Sequence, residues 1–166
     1  MHVFDFDGTL VDTPTPKDGM ELYRSVTGQE WPFREWWGRA ESLEPPLTME
    51  CGPALDEYRE SVANDAVATV MMTGRRTKLK KSVEAVMRMF DIECHEHIFN
   101  GTRFCTLEYK QNELRRLVGK YKPKRVRIWE DRISHAKEFQ DMDAEFRSKF
   151  GVESWDVTLV EPSNDF

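Results

Sequence analysis

The chain has 166 residues, which suits one domain with a buried core and excludes two large ones. Its net charge of −6 argues against a general nucleic-acid binder, and with 39% hydrophobic residues no apolar run approaches the roughly 20 residues that cross a bilayer. Its start lacks a signal peptide's apolar region, and its three cysteines are too widely spaced for a disulfide framework. We therefore expect a cytoplasmic protein with free thiols, no membrane contact and no obligate protein partner.

The predicted elements alternate between strands and helices. Short apolar runs predict strands at 2–6, 66–72, 96–100, 125–129 and 155–160. Apolar residues at helical spacing predict helices at 77–90, 107–121 and 133–149, and less regular ones at 18–28, 33–43 and 53–63. This alternation predicts an α/β fold with a mainly parallel sheet and helices on both faces. In such a sheet, ligands bind beyond the carboxyl ends of the strands.

The first predicted strand ends in two aspartates, Asp5 and Asp7, followed by Gly8 and Thr9. Alternation along a strand puts both carboxylates on one side, and Gly8 permits a sharp turn close to a ligand. Two neighbouring carboxylates repel each other, and Mg²⁺ relieves that repulsion. One carboxylate is a competent nucleophile toward phosphorus, and the other is able to move a proton. The simpler alternative is a solvated acidic turn.

Polar residues also follow two later strands. Thr73, with Gly74 behind it, ends the second strand, where a hydroxyl and nearby amides suit a phosphate oxygen; such residues also make turns and caps. Glu130 and Asp131 end the fourth strand. They are either a second source of metal ligands or acidic residues that interact favourably with the dipole of the following helix. Lys110, near the start of a predicted helix, suits neutralisation of an anion, although a single lysine is usually a surface residue.

In this order, the motifs resemble those of the haloacid dehalogenase (HAD) superfamily. Residues 5–9 are similar to its first motif, DxDGT, while Thr73, Lys110 and the pair Glu130 and Asp131 are similar to the second, third and fourth. The resemblance implies a three-layer, Rossmann-like core in which Thr73 and Lys110 bind phosphoryl oxygens. Two other lysines remain alternatives for the third motif: Lys120 and Lys122.

The resemblance also implies a Mg²⁺-dependent phosphatase. Asp5 is expected to attack phosphorus and become an aspartyl-phosphate, with Asp7 acting first as acid and then as base. Mg²⁺ is expected to bind the Asp5 carboxylate, the Asp7 backbone carbonyl and Asp131, with Glu130 nearby or reached through water.

We expect one domain over 1–166, in which 13–65 form a helical insert or small cap. The short spacing between Thr73 and Lys110 excludes a large cap after the second motif, and an open site suits a phosphate on a large substrate. The insert is rich in aromatic residues, which either pack against the sheet or stack on a base or sugar.

The sequence contains two runs of basic residues, at 75–81 and at 120–127. The run 75–81 begins at the mouth of the predicted site, so Arg75 and Arg76 are expected near the substrate. The run 120–127 precedes its strand and is expected at the opposite end of the sheet.

A closer resemblance is to HAD domains associated with RNA-repair proteins. It rests on TPTP at 13–16, on paired tryptophans at 36–37, and on EDRISH at 130–135. It implies that Arg132 and His135 buttress or line the site. The expected substrate contacts are Gly8, Thr9, Gly74, Arg75, Arg76, Arg132 and His135.

By this resemblance, the substrate is a phosphorylated nucleic-acid end, with a 3′-phosphate as one option. Two alternatives stay open on the sequence alone. One is a phosphatase for a nucleotide or sugar phosphate, and the other is a non-catalytic HAD-like module that binds RNA.

Overall fold

The computed structural model describes residues 1–161. Its strands are β1 (His2–Phe4), β2 (Val11–Asp12), β3 (Glu50–Cys51), β4 (Thr69–Arg76), β5 (Glu96–Asn100), β6 (Arg125–Glu130) and β7 (Ser154–Leu159). Its helices are α1 (Pro16–Thr27), α2 (Leu55–Val62), α3 (Lys80–Met89), α4 (Thr106–Tyr121), α5 (Ile133–Asp141) and α6 (Asp143–Phe150), with 3₁₀ turns at Ala40–Leu43 and Thr77–Leu79.

Five of these strands form a parallel sheet in the order β5-β4-β1-β6-β7. Val3 of the central strand pairs with Val70 on one side and Ile128 on the other. The remaining strands, β2 and β3, form a small antiparallel pair. The expected α/β fold with a mainly parallel sheet is confirmed.

Helices cover both faces of the sheet, because its strands are apolar on both sides. On one face Phe4, Met71 and Trp129 pack with residues of α2 and α3. On the other face Val3 and its strand neighbours pack with residues of α4, α5 and α6. Phe4 and Trp129 also stack, with ring centroids 4.3 Å apart. The result is the three-layer core that the sequence predicts.

The insert, residues 13–65, differs most from expectation. The predicted helix at 33–43 is wrong, because that segment contains only the 3₁₀ turn Ala40–Leu43. Aromatic contacts organise it instead: Trp31 lies against Tyr23, Phe33 and Trp36. These rings pack on one another, whereas the expected packing against the sheet is seen at Tyr58, whose ring meets Phe4 of β1.

Smaller differences concern the ends of elements. The first strand stops at Phe4, so Asp5 and Asp7 lie in the turn that follows it. The strand β4 runs on to Arg76 through a register shift, so no helix begins directly after Thr73. The helix predicted at 133–149 is divided at Met142. Across residues 1–161, no helix is long and apolar enough to cross a membrane.

Candidate active site

Four charged side chains meet at the carboxyl edge of the sheet. Asp5 follows β1, Glu130 ends β6 and Asp131 follows it, while Lys110 reaches them from α4. The Lys110 ammonium lies 2.9 Å from Asp5 Oδ1 and 2.8 Å from Glu130 Oε2. All four side chains are buried. The motif residues that the sequence places after separate strands are therefore brought together.

The three carboxylates of this cluster crowd one another. Asp5, Glu130 and Asp131 each offer an oxygen within 4.8 Å of the others. Burial raises the pKa of Asp5 to about 7, and the Glu130 and Asp7 charges add to this effect while Lys110 opposes it. Burial and the charges of Asp5 and Glu130 raise the pKa of Asp131 to about 9. A cation in this cluster would favour the ionised form of both aspartates.

Glu130 and Lys110 stabilise each other's charged forms. Burial opposes ionisation of Glu130, but Lys110 outweighs that effect and lowers the pKa of Glu130. Likewise, the carboxylates of Asp5 and Glu130 overcome burial and raise the pKa of Lys110. Glu130 also accepts a hydrogen bond from the Arg132 backbone N–H, at 3.1 Å. Glu130 thus orients Lys110 as well as contributing negative charge.

Asp7 faces a different set of groups. Its Oδ1 accepts hydrogen bonds from Thr13 Oγ1 at 2.7 Å, from Arg75 Nη2 at 2.8 Å and from Arg75 Nε at 3.1 Å. Its Oδ2 accepts from Arg75 Nε at 2.9 Å. Arg75 Nη1 in turn donates to the Trp37 carbonyl at 3.2 Å and to Ser42 Oγ at 3.0 Å. The guanidinium of Arg75 is thus held by Asp7 and the insert, and not at a solvent-facing rim.

Gly8 and Thr9 of the first motif have different surroundings. Gly8 has a φ of +68°, and a Cβ there would lie 2.5 Å from Asp131 Oδ2. Any other residue would be strained and would meet a carboxylate of the cluster. Thr9 is fully buried and does not line the pocket.

Of the second motif, Thr73 does not line the pocket and Gly74 does. Thr73 is buried, and its hydroxyl accepts a hydrogen bond from the Arg75 backbone N–H at 3.1 Å. Gly74 lines the pocket, and a Cβ there would lie 2.5 Å from Thr106 Cγ2, so β4 and α4 approach closely at this point. Of this pair, Gly74 is the residue that the structure brings to the cavity.

The cavity above these groups has a volume of about 270 Å³. Its lining is mostly charged and comprises Asp5, Asp7, Glu35, Trp37, Gly38, Gly74, Arg75, Arg76, Thr106, Lys110, Asp131 and Arg132. Arg76 is exposed and donates a hydrogen bond to the Thr102 carbonyl. His135 lies outside the lining, buried, with Nδ1 3.9 Å from Glu130 Oε2. Burial lowers the pKa of His135 to about 4.

The sequence did not point to several residues around Asp7. Ser42 belongs to the irregular insert, where no motif marks it, and the paired tryptophans at 36–37 do not indicate that the Trp37 carbonyl accepts from Arg75. Thr13 belongs to the TPTP segment on which the closer resemblance rests, and in the structure its hydroxyl donates to Asp7. The alternative lysines of the third motif lie elsewhere: Lys120 pairs with Glu96, and Lys122 is the residue after α4.

Comparisons with known proteins identify the family of the chain. Residues 53–166, more than half of the chain, match the family described as HAD domain family 1 in Swiss Army Knife RNA repair proteins. The chain is also 23% identical to an uncharacterized protein of Saccharomyces cerevisiae over 165 residues, covering 84% of this chain and 36% of the yeast protein. It therefore spans about a third of that relative's length. No solved structure gives a significant match. The chain belongs to the HAD domain family of Swiss Army Knife RNA repair proteins, which indicates a phosphatase-type HAD function.

Proposed function

We propose that the protein is a Mg²⁺-dependent phosphatase that removes a terminal phosphate from a nucleic-acid end through an aspartyl-phosphate on Asp5. The observation that carries the proposal is the buried cluster of Asp5, Glu130 and Asp131 around Lys110, with Asp7 beside it. This cluster combines a nucleophile, metal ligands and a cation, while Asp7 supplies a proton carrier.

The donor set fits Mg²⁺. It consists of carboxylate oxygens only, which a hard cation prefers, and the raised pKa values of Asp5 and Asp131 reflect negative charge that a cation would offset. Asp5 and Asp131 would hold the ion, together with the Asp7 backbone carbonyl that the family resemblance implies. Glu130 is engaged by Lys110. When bound, Mg²⁺ neutralises part of the charge of the phosphate.

The chain's own residues account for both chemical steps. Asp5 forms a bond to phosphorus as the bond to the leaving oxygen breaks, and Asp7 gives that oxygen its proton. Asp7, now ionised, takes a proton from water while the water oxygen attacks phosphorus and releases Asp5. Lys110 fixes Asp5 at 2.9 Å and supplies positive charge beside the phosphate.

Three features support a phosphate presented on a larger molecule. The cavity of about 270 Å³ is at the small end for ligand pockets, so it suits the end of a substrate. Arg76 and Arg132 lie at its lining, where cations favour a polyanion. Thr106 begins α4 beside it, and a helix N-terminus favours an anion. Membership in a family named for RNA repair adds weight to a nucleic-acid end.

A substrate panel tests the proposal. Phosphate release is measured for 3′- and 5′-phosphorylated RNA and DNA oligomers, mononucleotides and sugar phosphates, with Mg²⁺ or with a chelator. We expect the highest kcat/KM for an oligomer with a 3′-phosphate. With the chelator we expect no phosphate release. Faster turnover of mononucleotides than of every oligomer would favour the metabolite phosphatase. Binding of RNA without any phosphate release would favour the non-catalytic module.

A further inference from the structure

Arg75 lines the pocket, yet its guanidinium is buried and engaged at every nitrogen. Its side chain is 2% exposed, and it joins the turn after β1 to the insert. Nε and Nη2 donate to the Asp7 carboxylate, while Nη1 donates to Trp37 and Ser42. A buried guanidinium with all three nitrogens occupied has little left to offer a phosphate.

We propose that Arg75 is a positioning residue that fixes the Asp7 carboxylate for proton transfer, and that the insert holds Arg75 through Ser42 and the Trp37 carbonyl. The inference rests on the proposed function. It assigns to the insert a task distinct from covering the site, which is to fix the orientation of the group that carries the proton.

The geometry of the pair supports this assignment. A guanidinium presents its N–H groups in a rigid plane, so two of its nitrogens together fix the orientation of a carboxylate plane. A lysine ammonium binds as a point charge and does not fix that orientation. Asp7 Oδ1 accepts from Thr13 and from two Arg75 nitrogens, whereas Oδ2 accepts from Arg75 Nε alone among these contacts. The less occupied oxygen, Oδ2, is then the one that exchanges the proton.

Ser42 fixes Arg75 from the other side. It is fully buried, and its hydroxyl donates to the Arg39 carbonyl at 2.7 Å while accepting from Arg75 at 3.0 Å. The hydroxyl is therefore oriented with its lone pairs toward the guanidinium. Loss of this hydroxyl would leave an N–H of Arg75 unsatisfied and loosen the guanidinium without removing any charge.

The variants Arg75→Lys and Ser42→Ala separate positioning from phosphate binding. Arg75→Lys keeps the positive charge and removes the planar pair of donors. Each protein is assayed on 4-nitrophenyl phosphate, whose leaving group departs without an acid, and on a 3′-phosphorylated oligonucleotide, whose alkoxide leaving group needs one. Rapid mixing separates the first release of 4-nitrophenol from steady turnover.

We expect Arg75→Lys to lower kcat on the oligonucleotide by about 100-fold, the lower range for general acid–base catalysis, with little change in KM. On 4-nitrophenyl phosphate we expect a rapid burst near one equivalent, followed by slow turnover, because hydrolysis of the aspartyl-phosphate still needs Asp7 as base. Ser42→Ala should show the same pattern, with kcat on the oligonucleotide lowered by about tenfold. A loss of this size is within the effect of one unsatisfied buried hydrogen-bond donor. Ser42→Ala also carries the test if Arg75→Lys does not fold.

Arg24→Lys is the matched control, since Arg24 pairs with Glu30 in the same insert, is largely exposed and does not line the pocket. It should leave activity on both substrates unchanged. The inference is overturned if Arg75→Lys raises KM alone, if it slows the burst and steady turnover equally, or if Arg24→Lys has the same effect as Arg75→Lys. Failure of the wild-type protein to release phosphate from either substrate would instead overturn the proposed function, and this inference with it.

Discussion

The sheet edge and the insert line the same pocket by different means. The sheet edge, formed by Asp5, Lys110, Glu130 and Asp131, places opposite charges in contact at 2.8–2.9 Å, on regular elements or directly after them. The insert contributes hydroxyls and a carbonyl from an irregular segment, through Thr13, Trp37 and Ser42. In the proposed function, the nucleophile and the metal ligands belong to the sheet edge, and the insert orients Asp7 through Arg75. Substitutions in the two regions should therefore differ in kind and in size.

The largest effect is expected at Asp5, the proposed nucleophile. Asp5→Asn should lower phosphatase activity by about 10⁴-fold or more, because an amide does not attack phosphorus. Phosphate release with Mg²⁺ measures the loss, and circular dichroism confirms the fold. Asp56→Asn, on an exposed position of α2, is the control and should keep full activity. Substantial activity in Asp5→Asn would place the chemistry elsewhere.

Removing the cation of the sheet edge should lower the free energy of unfolding, whatever it does to activity. Lys110→Met leaves Asp5 and Glu130 buried without their shared partner, and the loss of one member of a buried ion pair costs about 3–5 kcal/mol. Urea unfolding of the metal-free protein measures it. Lys137→Met, at an exposed position of α5, should change stability by less than about 0.5 kcal/mol. Equal effects in the two variants would mean that the lysine is not tied to the cluster.

The pH dependence of Mg²⁺ binding tests the same region. The pKa of Asp5 is raised to about 7 and that of Asp131 to about 9, so metal must displace protons near neutral pH. From pH 6 to pH 8 the apparent Kd for Mg²⁺ should fall about tenfold or more per unit, as measured by calorimetry. A Kd that does not change with pH would contradict this.

The stability of the metal-free protein should follow the same carboxyl groups. A raised pKa in the folded state stabilises the fold at low pH, and that contribution is lost as pH rises through about 7 for Asp5 and about 9 for Asp131. Mg²⁺ should restore the Tm at pH 9. Asp131→Asn removes one titrating group. The Tm of this metal-free variant should therefore fall less between low pH and pH 9 than the Tm of the wild-type protein.

The smallest effect is expected in the insert. A Cβ at Gly19 would lie 2.0 Å from Trp36 Cη2, so Gly19→Ala should overpack α1 against that ring and cost about 1–3 kcal/mol. Gly119→Ala in α4, where a Cβ meets nothing within 4 Å, should instead stabilise by about 0.5–1 kcal/mol. Thermal unfolding distinguishes the two signs. A stabilising Gly19→Ala would show that the insert is loosely packed.

The sequence predicts the sheet edge better than the insert, for a physical reason. Parallel strands end at one edge, so motif residues after successive strands must meet there. The strand at 96–100 has the predicted bounds, and Asp5, Lys110 and Glu130 come together as the motif order implies.

The contacts of Asp7 depend on tertiary packing. Arg75 lies 33 residues from Ser42 and 68 from Asp7, and neither separation follows from a period. The segment 33–43 has apolar residues at helical spacing, but Trp31 and Trp36 pack on each other and leave only a short 3₁₀ turn. In this segment, aromatic packing overrides the local helix propensity. For Arg75, the sequence indicates only membership in a basic run and does not indicate its contacts with Asp7 and Ser42.

Phe4 and Trp129 stack within 11° of parallel, and both are buried. Asp5 and Glu130 follow them directly along the chain. Asp131 comes next after Glu130. Because a close-packed interior does not expand, Asp5 and Asp131, the two carboxylates that would hold the ion, have little freedom to separate. Ca²⁺ takes more oxygen ligands at longer distances than Mg²⁺ does. The aromatic pair therefore limits the size of the cation that the site would accept. We expect Ca²⁺ to compete only weakly with Mg²⁺ for this site.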